Sequence, residues 1–345
     1  MQKDPASAAA RAGSGKRGET GVQYYFAPLE GVTGAVFRRV HSACFPGIDK
    51  YFMPFVSPGR ERVFSKRDMR ELSPAFHEGI PAVPQLLTRQ AEDFLWAAEL
   101  LADLGYREVN LNLGCPSGTV TAKGKGSGLL RDREELERFL EEIFRRAPLA
   151  VSIKTRVGFQ SPEEFEGLLD VFQRVPYSEL IIHPRVRADF YRGGVRMEAF
   201  ARAVERGAAP LCYNGDLTTA EEVEALSRRF PTVDRVMIGR GLVGDPALVV
   251  KARGGAPAGR EELRRFHDAL YDGYTEAFGS RYNAMLRMKE LWFYLIDLFD
   301  GGDGCLKALK KARDTGEYEG QVEAIFQSLP LRRDSAARWR EQSIL

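Results

Sequence analysis

Val109-Asn110-Leu111-Asn112-Leu113-Gly114-Cys115-Pro116-Ser117 alternates apolar and amide side chains and then stops on Gly-Cys-Pro. Period-two alternation predicts a strand with Val109, Leu111 and Leu113 on one face and Asn110 and Asn112 on the other. The Gly-Cys-Pro break ends it abruptly. Asn112 and Cys115 are then presented at the C-terminal end of a strand, where barrel and open α/β enzymes keep their chemistry. The run Lys123-Gly124-Lys125-Gly126-Ser127-Gly128 reads as a mobile loop able to close over that end. A thiol in such a chain commonly packs as a small hydrophobe. The strand end, the paired Asn and the glycines that follow weigh toward a functional Cys115.

Working outward, strand patterns alternate with helical ones along most of the chain. The strands are Tyr24–Leu29, Tyr51–Phe55, Ala82–Leu87, the one around Asn112, Ala150–Arg156, Leu180–Arg185, Leu211–Asn214 and Val233–Gly239. Helical patterns cover Val32–Ala43 and Gln90–Leu104, the latter with Gly105 as its stop. Asp132 and Glu135 form a capping box before the stripe Leu136, Phe139, Leu140 and Ile143. Ser161-Pro162-Glu163-Glu164 starts another helix, and Thr218 or Thr219 caps the next. Residues 57–80 show no clear period and read as an irregular connection. Eight strand–helix units in about 230 residues predict a TIM (β/α)8 barrel over 21–253. A doubly wound open sheet is the alternative, disfavoured because no Gly-x-Gly-x-x-Gly follows the first strand.

Past the Gly254–Gly259 linker the pattern becomes helical only. Leu263, Phe266, Leu270 and Tyr274 form one stripe, and Met285, Met288, Leu291, Trp292, Leu295 and Leu298 another. Two shorter segments follow, so 258–331 reads as a small all-α helical bundle. The basic stretch 332–345 reads as a frayed tail. The start, 1–20, lacks an apolar core and reads as a disordered leader, not a signal peptide.

The 345 residues carry a formal net charge of +2, so the chain is not a basic nucleic-acid coat. Cys44, Cys115, Cys212 and Cys305 include no CxxC pair, which argues against a zinc site or disulfide scaffold and for a reducing, cytoplasmic setting. No run of about 18 apolar residues suggests a membrane span.

Polar residues at the strand ends are Glu30, Gln85, Asn112, Cys115, Lys154, Arg156, His183, Arg185, Asn214, Asp216 and Arg240. In a barrel these converge on one mouth. Cations and amides dominate, with few carboxylates and no metal-ligand triad. That disfavours a paired-carboxylate hydrolase and a Ser-His-Asp site. It suits an anion, most simply a phosphate-bearing cofactor. Asn214-Gly215-Asp216 and Gly239-Arg240-Gly241 follow the last two strands, whose loops commonly form a TIM-barrel phosphate site.

Asn-Leu-Gly-Cys-Pro-Ser at 112–117 resembles the active-site strand of the tRNA-dihydrouridine synthases, FMN enzymes that reduce uridine in RNA. The likeness extends from Tyr24 into the bundle through Ala27-Pro28-Leu29-Glu30-Gly31-Val32-Thr33, Gln85, Lys154-Thr155-Arg156, His183-Pro184-Arg185 with Tyr191, Asn214-Gly215-Asp216 and Gly239-Arg240. The resemblance implies that Pro28, Leu29, Glu30, Gln85, Lys154 and His183 contact FMN. It implies that Asn214, Gly215, Asp216, Gly239 and Arg240 hold the FMN phosphate. It makes Asn112 face the uracil, joined at the substrate by Arg156, Arg185, Tyr191 and Lys123. It implies that NADPH reduces the flavin, that hydride passes from N5 to uracil C6 and that Cys115 protonates C5. Lys154 beside the flavin pyrimidine ring stabilises the anionic reduced form. The implied partner is tRNA, gripped by the bundle; the protein acts as a monomer, with no metal and no membrane. Two departures stand out: His183-Pro184-Arg185-Val186 replaces a small residue and Thr around the His and Arg, and Glu30 stands where many members have Ala. The alternatives are the same chemistry on ribosomal RNA, an FMN barrel reducing a free pyrimidine, and a pure RNA-binding module. The bundle disfavours a free small substrate.

Overall fold

The computed structural model describes residues 21–340 except Arg60 and Ala209. The expected leader and the last residues of the tail lie outside that range.

Nine parallel strand segments follow one another: β1 (Gln23–Phe26), β2 (Lys50–Phe52), β3 (Ala82–Val83), β4 (Gln85–Leu86), β5 (Glu108–Leu113), β6 (Ala150–Arg156), β7 (Leu180–His183), β8 (Leu211–Asn214) and β9 (Arg235–Ile238). Their order is β3-β2-β1-β9-β8-β7-β6-β5-β4. The expected third strand is therefore one strand in two pieces. Pro84, which has no N–H to give a ladder, sits between them. The first piece pairs with β2 and the second with β5, which brings the ends of the sheet together as a barrel.

The helices are α1 (Ala35–Cys44), α2 (Lys66–Leu72), α3 (Ala91–Asp103), α4 (Gly118–Thr121), α5 (Arg133–Arg146), α6 (Glu164–Phe172), α7 (Met197–Glu205), α8 (Ala220–Arg229), α9 (Arg240–Gly244) and α10 (Leu248–Ala252) around the barrel. Then come α11 (Arg260–Phe278), α12 (Arg281–Leu295), α13 (Asp303–Lys311) and α14 (Thr315–Ser328). Asp132 accepts from the Glu135 amide at 2.9 Å, and Thr219 and Glu222 form a reciprocal capping box. Gly279 takes a left-handed conformation, φ 61°, so α11 and α12 are joined by a tight turn.

Alternation divides the strand side chains between two cores. Tyr24, Phe26, Val109, Leu111, Val151, Ile153, Leu180, Ile182, Val236 and Ile238 pack outward in the large core shared with the helices. Tyr25, Ala27, Phe52, Val83, Ile181, Cys212 and Met237 form a separate inner cluster. The lumen is thus a packed interior, as in other barrels of this size.

Three sequence expectations change. Residues 57–80 contain α2 and a short 3-10 turn, Pro74–Phe76. Only Leu72 of α2 is buried, so the helix carries no apolar stripe to read. The run 123–128 is not an open loop: Gly126, Ser127 and Gly128 are buried at the start of a 3-10 segment, Gly126–Arg131. A methyl group at Gly128 would lie 2.9 Å from the Thr121 carbonyl oxygen, so glycine there permits close packing. The stretch 332–340 is not frayed either; Trp339 is buried, and Arg338 bonds Asp297 at 2.7 Å.

The bundle docks through aromatic contacts. His41 of α1 packs among Phe26, Phe45 and Phe266, the last from α11. Its Nδ1 lies 2.9 Å from Tyr51 Oη and its Nε2 3.1 Å from the Pro246 carbonyl. All four histidines, His41, His77, His183 and His267, are buried. Burial depresses the pKa of each, that of His41 to about 3. The unfolded chain takes up these protons near pH 6.5 while the folded chain does not, so stability is full above that pH and falls as pH drops toward 3. His41 alone contributes on the order of a few kcal/mol to this acid lability. We expect the denaturant midpoint to fall steadily between pH 7.5 and 4.5; a flat midpoint would contradict the buried, neutral state of the histidines.

Candidate active site at the barrel mouth

The inward face of β5 and β6 is polar, and its residues are linked. At the N-terminal end of the barrel, Lys50 Nζ donates to Glu179 at 2.5 Å and to Glu108 at 2.7 Å. Ser152 Oγ donates to Glu108 at 2.8 Å, and Asn110 Nδ2 to Ser152 Oγ at 2.9 Å. Gln85 Nε2 donates to Asn110 Oδ1, and Asn112 Nδ2 to Gln85 Oε1, both at 2.7 Å. Asn112 Oδ1 accepts the amides of Gly114 at 3.0 Å and Cys115 at 2.9 Å. One chain of hydrogen bonds therefore runs the length of the lumen and ends on the backbone of Cys115. Buried amides and charges are costly unless paired, so this chain fixes its members' rotamers.

Cys115 is held from other sides too. Its carbonyl accepts from Ser127 Oγ at 2.8 Å and the Ser127 amide at 3.2 Å. Gly126, at φ 58°, lies so near that a methyl there would sit 3.0 Å from the same carbonyl. Arg156, only 1% exposed, donates from Nε to the Gly114 carbonyl at 2.9 Å and from Nη1 to the Val186 carbonyl at 3.0 Å. Burial raises the pKa of the Cys115 thiol, against the pull of the Ser117 amide and Arg156, so at neutral pH it is an S–H acid.

Lys154 projects inward from β6, two residues before Arg156. It has neither an ion pair nor a hydrogen bond among the described residues. Burial, and then the charge of Arg156, lower its pKa to about 8. His183 is held neutral: Arg185 Nη1, a donor only, lies 2.9 Å from His183 Nε2, which must accept. Burial and then the surrounding cations keep the His183 pKa well below the usual range.

The turns after β8 and β9 form one unit. The Asp216 carboxylate bridges Arg185 and Arg240, the latter at 2.8 Å. Burial opposes this charge, and the two guanidiniums still hold the Asp216 pKa below its ordinary value. A methyl at Gly241 would lie 2.0 Å from the Leu217 carbonyl oxygen, so glycine is required where the two turns meet. The first N–H groups of α9 have no acceptor within the helix. Asn214 Nδ2 donates to the Met237 carbonyl at 2.9 Å, tying β8 to β9.

The remaining candidates lie around the rim. Pro28, Leu29 and Glu30 form the turn after β1, where the Leu29 amide donates to Thr33 Oγ1 at 2.8 Å and Glu30 meets Arg67 at 3.4 Å. Tyr191 is 45% exposed, with the guanidiniums of Arg156 and Arg240 each 5.2 Å from its ring. Arg185, like Arg156, lies beneath the surface of the mouth. Lys123 is exposed on the turn after α4, and no side-chain hydrogen bond or ion pair joins it to the others among the described residues. The sequence candidates include neither Asn110, which the alternation already places on the face of Asn112, nor Ser152, which it places on the face of Lys154. They also omit Lys50 and Glu179, for which no local signal exists. Among the described residues no group of three His, Cys, Asp or Glu could hold a metal, and no helix is long and apolar enough to cross a membrane.

The fold is a TIM barrel whose polar residues gather at the C-terminal ends of its strands. Residues 25–323 match the family model described as dihydrouridine synthase, and the chain belongs to that family. Among curated relatives, the probable tRNA-dihydrouridine synthase of Rhizobium leguminosarum bv. phaseoli is 31% identical over 250 residues, 70% of this chain and 77% of that protein. The probable tRNA-dihydrouridine synthase of Rhodobacter capsulatus is 28% identical over 280 residues, 78% of this chain and 84% of the relative. The tRNA-dihydrouridine(16) synthase of Aquipseudomonas alcaligenes is 29% identical over 238 residues, 66% of this chain and 74% of the relative. Among solved structures, a variant of NCR from Zymomonas mobilis superposes with a TM-score of 0.50 at 16% identity, covering 73% of this chain and 93% of the other; at that identity the likeness is one of fold.

Asn112→Leu keeps the side-chain volume and leaves the Gly114 and Cys115 amides without their acceptor. We expect a stability loss of about 1–3 kcal/mol and faster alkylation of Cys115, followed by peptide mass spectrometry. Unchanged melting and an unchanged alkylation rate would mean that the turn does not depend on Asn112.

Proposed function

We propose that this chain reduces uridine to 5,6-dihydrouridine in tRNA in the cytoplasm, with FMN at the barrel mouth and NADPH as reductant. The observation that carries the proposal is the Cys115 turn, fixed by Asn112 and Ser127 at the strand end of a dihydrouridine synthase barrel, with burial raising the pKa of its thiol.

The donor set fits FMN. A phosphate monoester suits the N–H groups around Gly215, Asp216, Gly239 and Arg240, with the Arg240 guanidinium alongside. An electron-rich ring edge suits Lys154, a mouth cation without a partner among the described residues. Gln85, His183 and the Pro28–Glu30 turn complete the set. Flavin bound there supplies hydride transfer to the uracil ring.

The chain's own residues do the rest. Lys154 offers positive charge where negative charge accumulates. Cys115 Sγ–H gives its proton to uracil C5, and the resulting thiolate, half-buried, regains a proton from water. The thiol serves as an acid only while protonated, so this step fails as pH rises through its elevated pKa. Arg156 and Arg185 act from below, holding the Cys115 turn and the Asp216 turn. Tyr191 presents an exposed ring braced by two arginines, a stacking face for a base that has left its helix. The barrel, 21–253, is the catalytic domain in this reading. The bundle, 258–331, positions the RNA through contacts of its exposed Arg and Lys with phosphates, aided by Lys123 on the rim.

Cys115→Ala is expected to retain FMN and NADPH oxidation while losing at least about a hundredfold in dihydrouridine formation. Lys154→Met is expected to lower flavin occupancy or the rate of flavin reduction by NADPH. Full turnover on tRNA by Cys115→Ala would remove the proton-donor role.

A further inference from the structure

Beyond α14 the chain turns back to the barrel and ends its described course on the paired turns of the mouth. Lys251 of α10 donates to the Arg333 carbonyl at 2.9 Å and pairs with Asp245 at 2.6 Å. Trp339, 2% exposed, lies between the bundle and the barrel. Its ring is 6.0 Å from that of Tyr294 on α12 and 4.5 Å from the Arg240 guanidinium. Arg340 bonds the Asp216 carbonyl and both carboxylate oxygens of Glu222, at 3.0 Å each. Glu222 is itself the capping acid of α8, accepting the Thr218 amide at 2.7 Å.

These contacts converge on two residues. Arg240 is held by the Asp216 carboxylate, by the Tyr191 ring and by the Trp339 ring. Asp216 has φ 24°, a conformation a non-glycine residue keeps only where its surroundings enforce it. Arg340 clamps its carbonyl while Arg185 and Arg240 clamp its carboxylate. A guanidinium fixed between two rings loses little further freedom when it meets an anion.

We propose that Trp339 and Arg340 are positioning residues for the cofactor phosphate, holding Arg240 and the Asp216 turn in the arrangement that receives a phosphate monoester. This rests on the reading above that these turns hold the phosphate of FMN. Both act through Arg240 and Asp216. It also couples cofactor retention to the docking of the bundle, because Trp339 is anchored on α12.

Riboflavin, which has the same ring and no phosphate, separates positioning from general folding. We would measure FMN and riboflavin affinities by flavin fluorescence, with melting of the flavin-free protein, for the unaltered chain and for Trp339→Ala, Trp339→Phe and Arg340→Gln. The expected result is FMN binding weakened about tenfold in Trp339→Ala and Arg340→Gln, riboflavin binding unchanged, and FMN binding retained in Trp339→Phe. Arg340→Gln leaves Trp339 in place, so it carries the test if Trp339→Ala does not fold. Equal losses for FMN and riboflavin, or no loss of FMN, would overturn the positioning role while leaving the phosphate site intact. An unaltered chain that binds FMN no better than riboflavin would remove the phosphate reading and this inference with it.

Discussion

The lumen hydrogen-bond chain from Lys50 to Cys115 is the constraint on which the site depends. A barrel interior of this size is normally filled by branched apolar side chains. Here a mixed apolar cluster of Tyr25, Phe52, Val83, Ile181 and Met237 packs on one side. Across from them Glu108, Asn110 and Asn112 of β5 face Ser152 and Lys154 of β6, and Gln85 closes the gap left where Pro84 interrupts the third strand. Each amide in the line donates toward Glu108 and accepts from the Cys115 side, so none can turn without leaving a buried partner unpaired. The last amide hands this rigidity to the backbone of Cys115. Lys154 stands beside the line without joining it, its ammonium unpaired among the described residues.

A second set of constraints organises the other side of the mouth. Asp216, bridging Arg185 and Arg240, joins the turns after β7, β8 and β9. Gly241 lets two backbones meet where no side chain fits. The returning segment Arg332–Arg340 ties this unit to the bundle, so barrel and bundle share the same corner. The arrangement explains why arginines that look available in the sequence are buried. Arg156 and Arg185 shape the mouth from beneath, and the exposed aromatic ring of Tyr191 lies above them.

Much of this was legible in the sequence, for identifiable reasons. β6 was read with its observed ends, because Ala150–Arg156 alternates between a packed outer face and a polar inner one. β8 was read as found for the same reason. α5 was legible from Asp132 and its stripe of Leu136, Phe139, Leu140 and Ile143. α2 was not, because a helix that buries only Leu72 shows no period; its signal was the Ser65 cap, whose Oγ accepts from Asp68 at 3.1 Å. The glycines at 124–128 suggested mobility, yet Gly126 and Gly128 are there to let backbones approach, and composition does not distinguish the two uses. The basic tail misled in the same way: Arg338 and Arg340 find carboxylates far away in sequence, and Trp339 was the sign of an anchored segment. The candidates at strand ends converge as a barrel requires. What stayed hidden is the line beneath them, since Lys50 and Glu179 meet only after the sheet has closed.

The central claim is that this mouth reduces uridine within folded RNA, and the most direct test is to map the product. Unmodified tRNA and ribosomal RNA would each be incubated with the protein, FMN and NADPH, and dihydrouridine located by mass spectrometry of nuclease fragments. The account predicts dihydrouridine at defined positions in tRNA and none in ribosomal RNA. Dihydrouridine in ribosomal RNA alone would contradict the tRNA assignment while keeping the chemistry, and NADPH oxidation with no dihydrouridine in either RNA would contradict the claim itself.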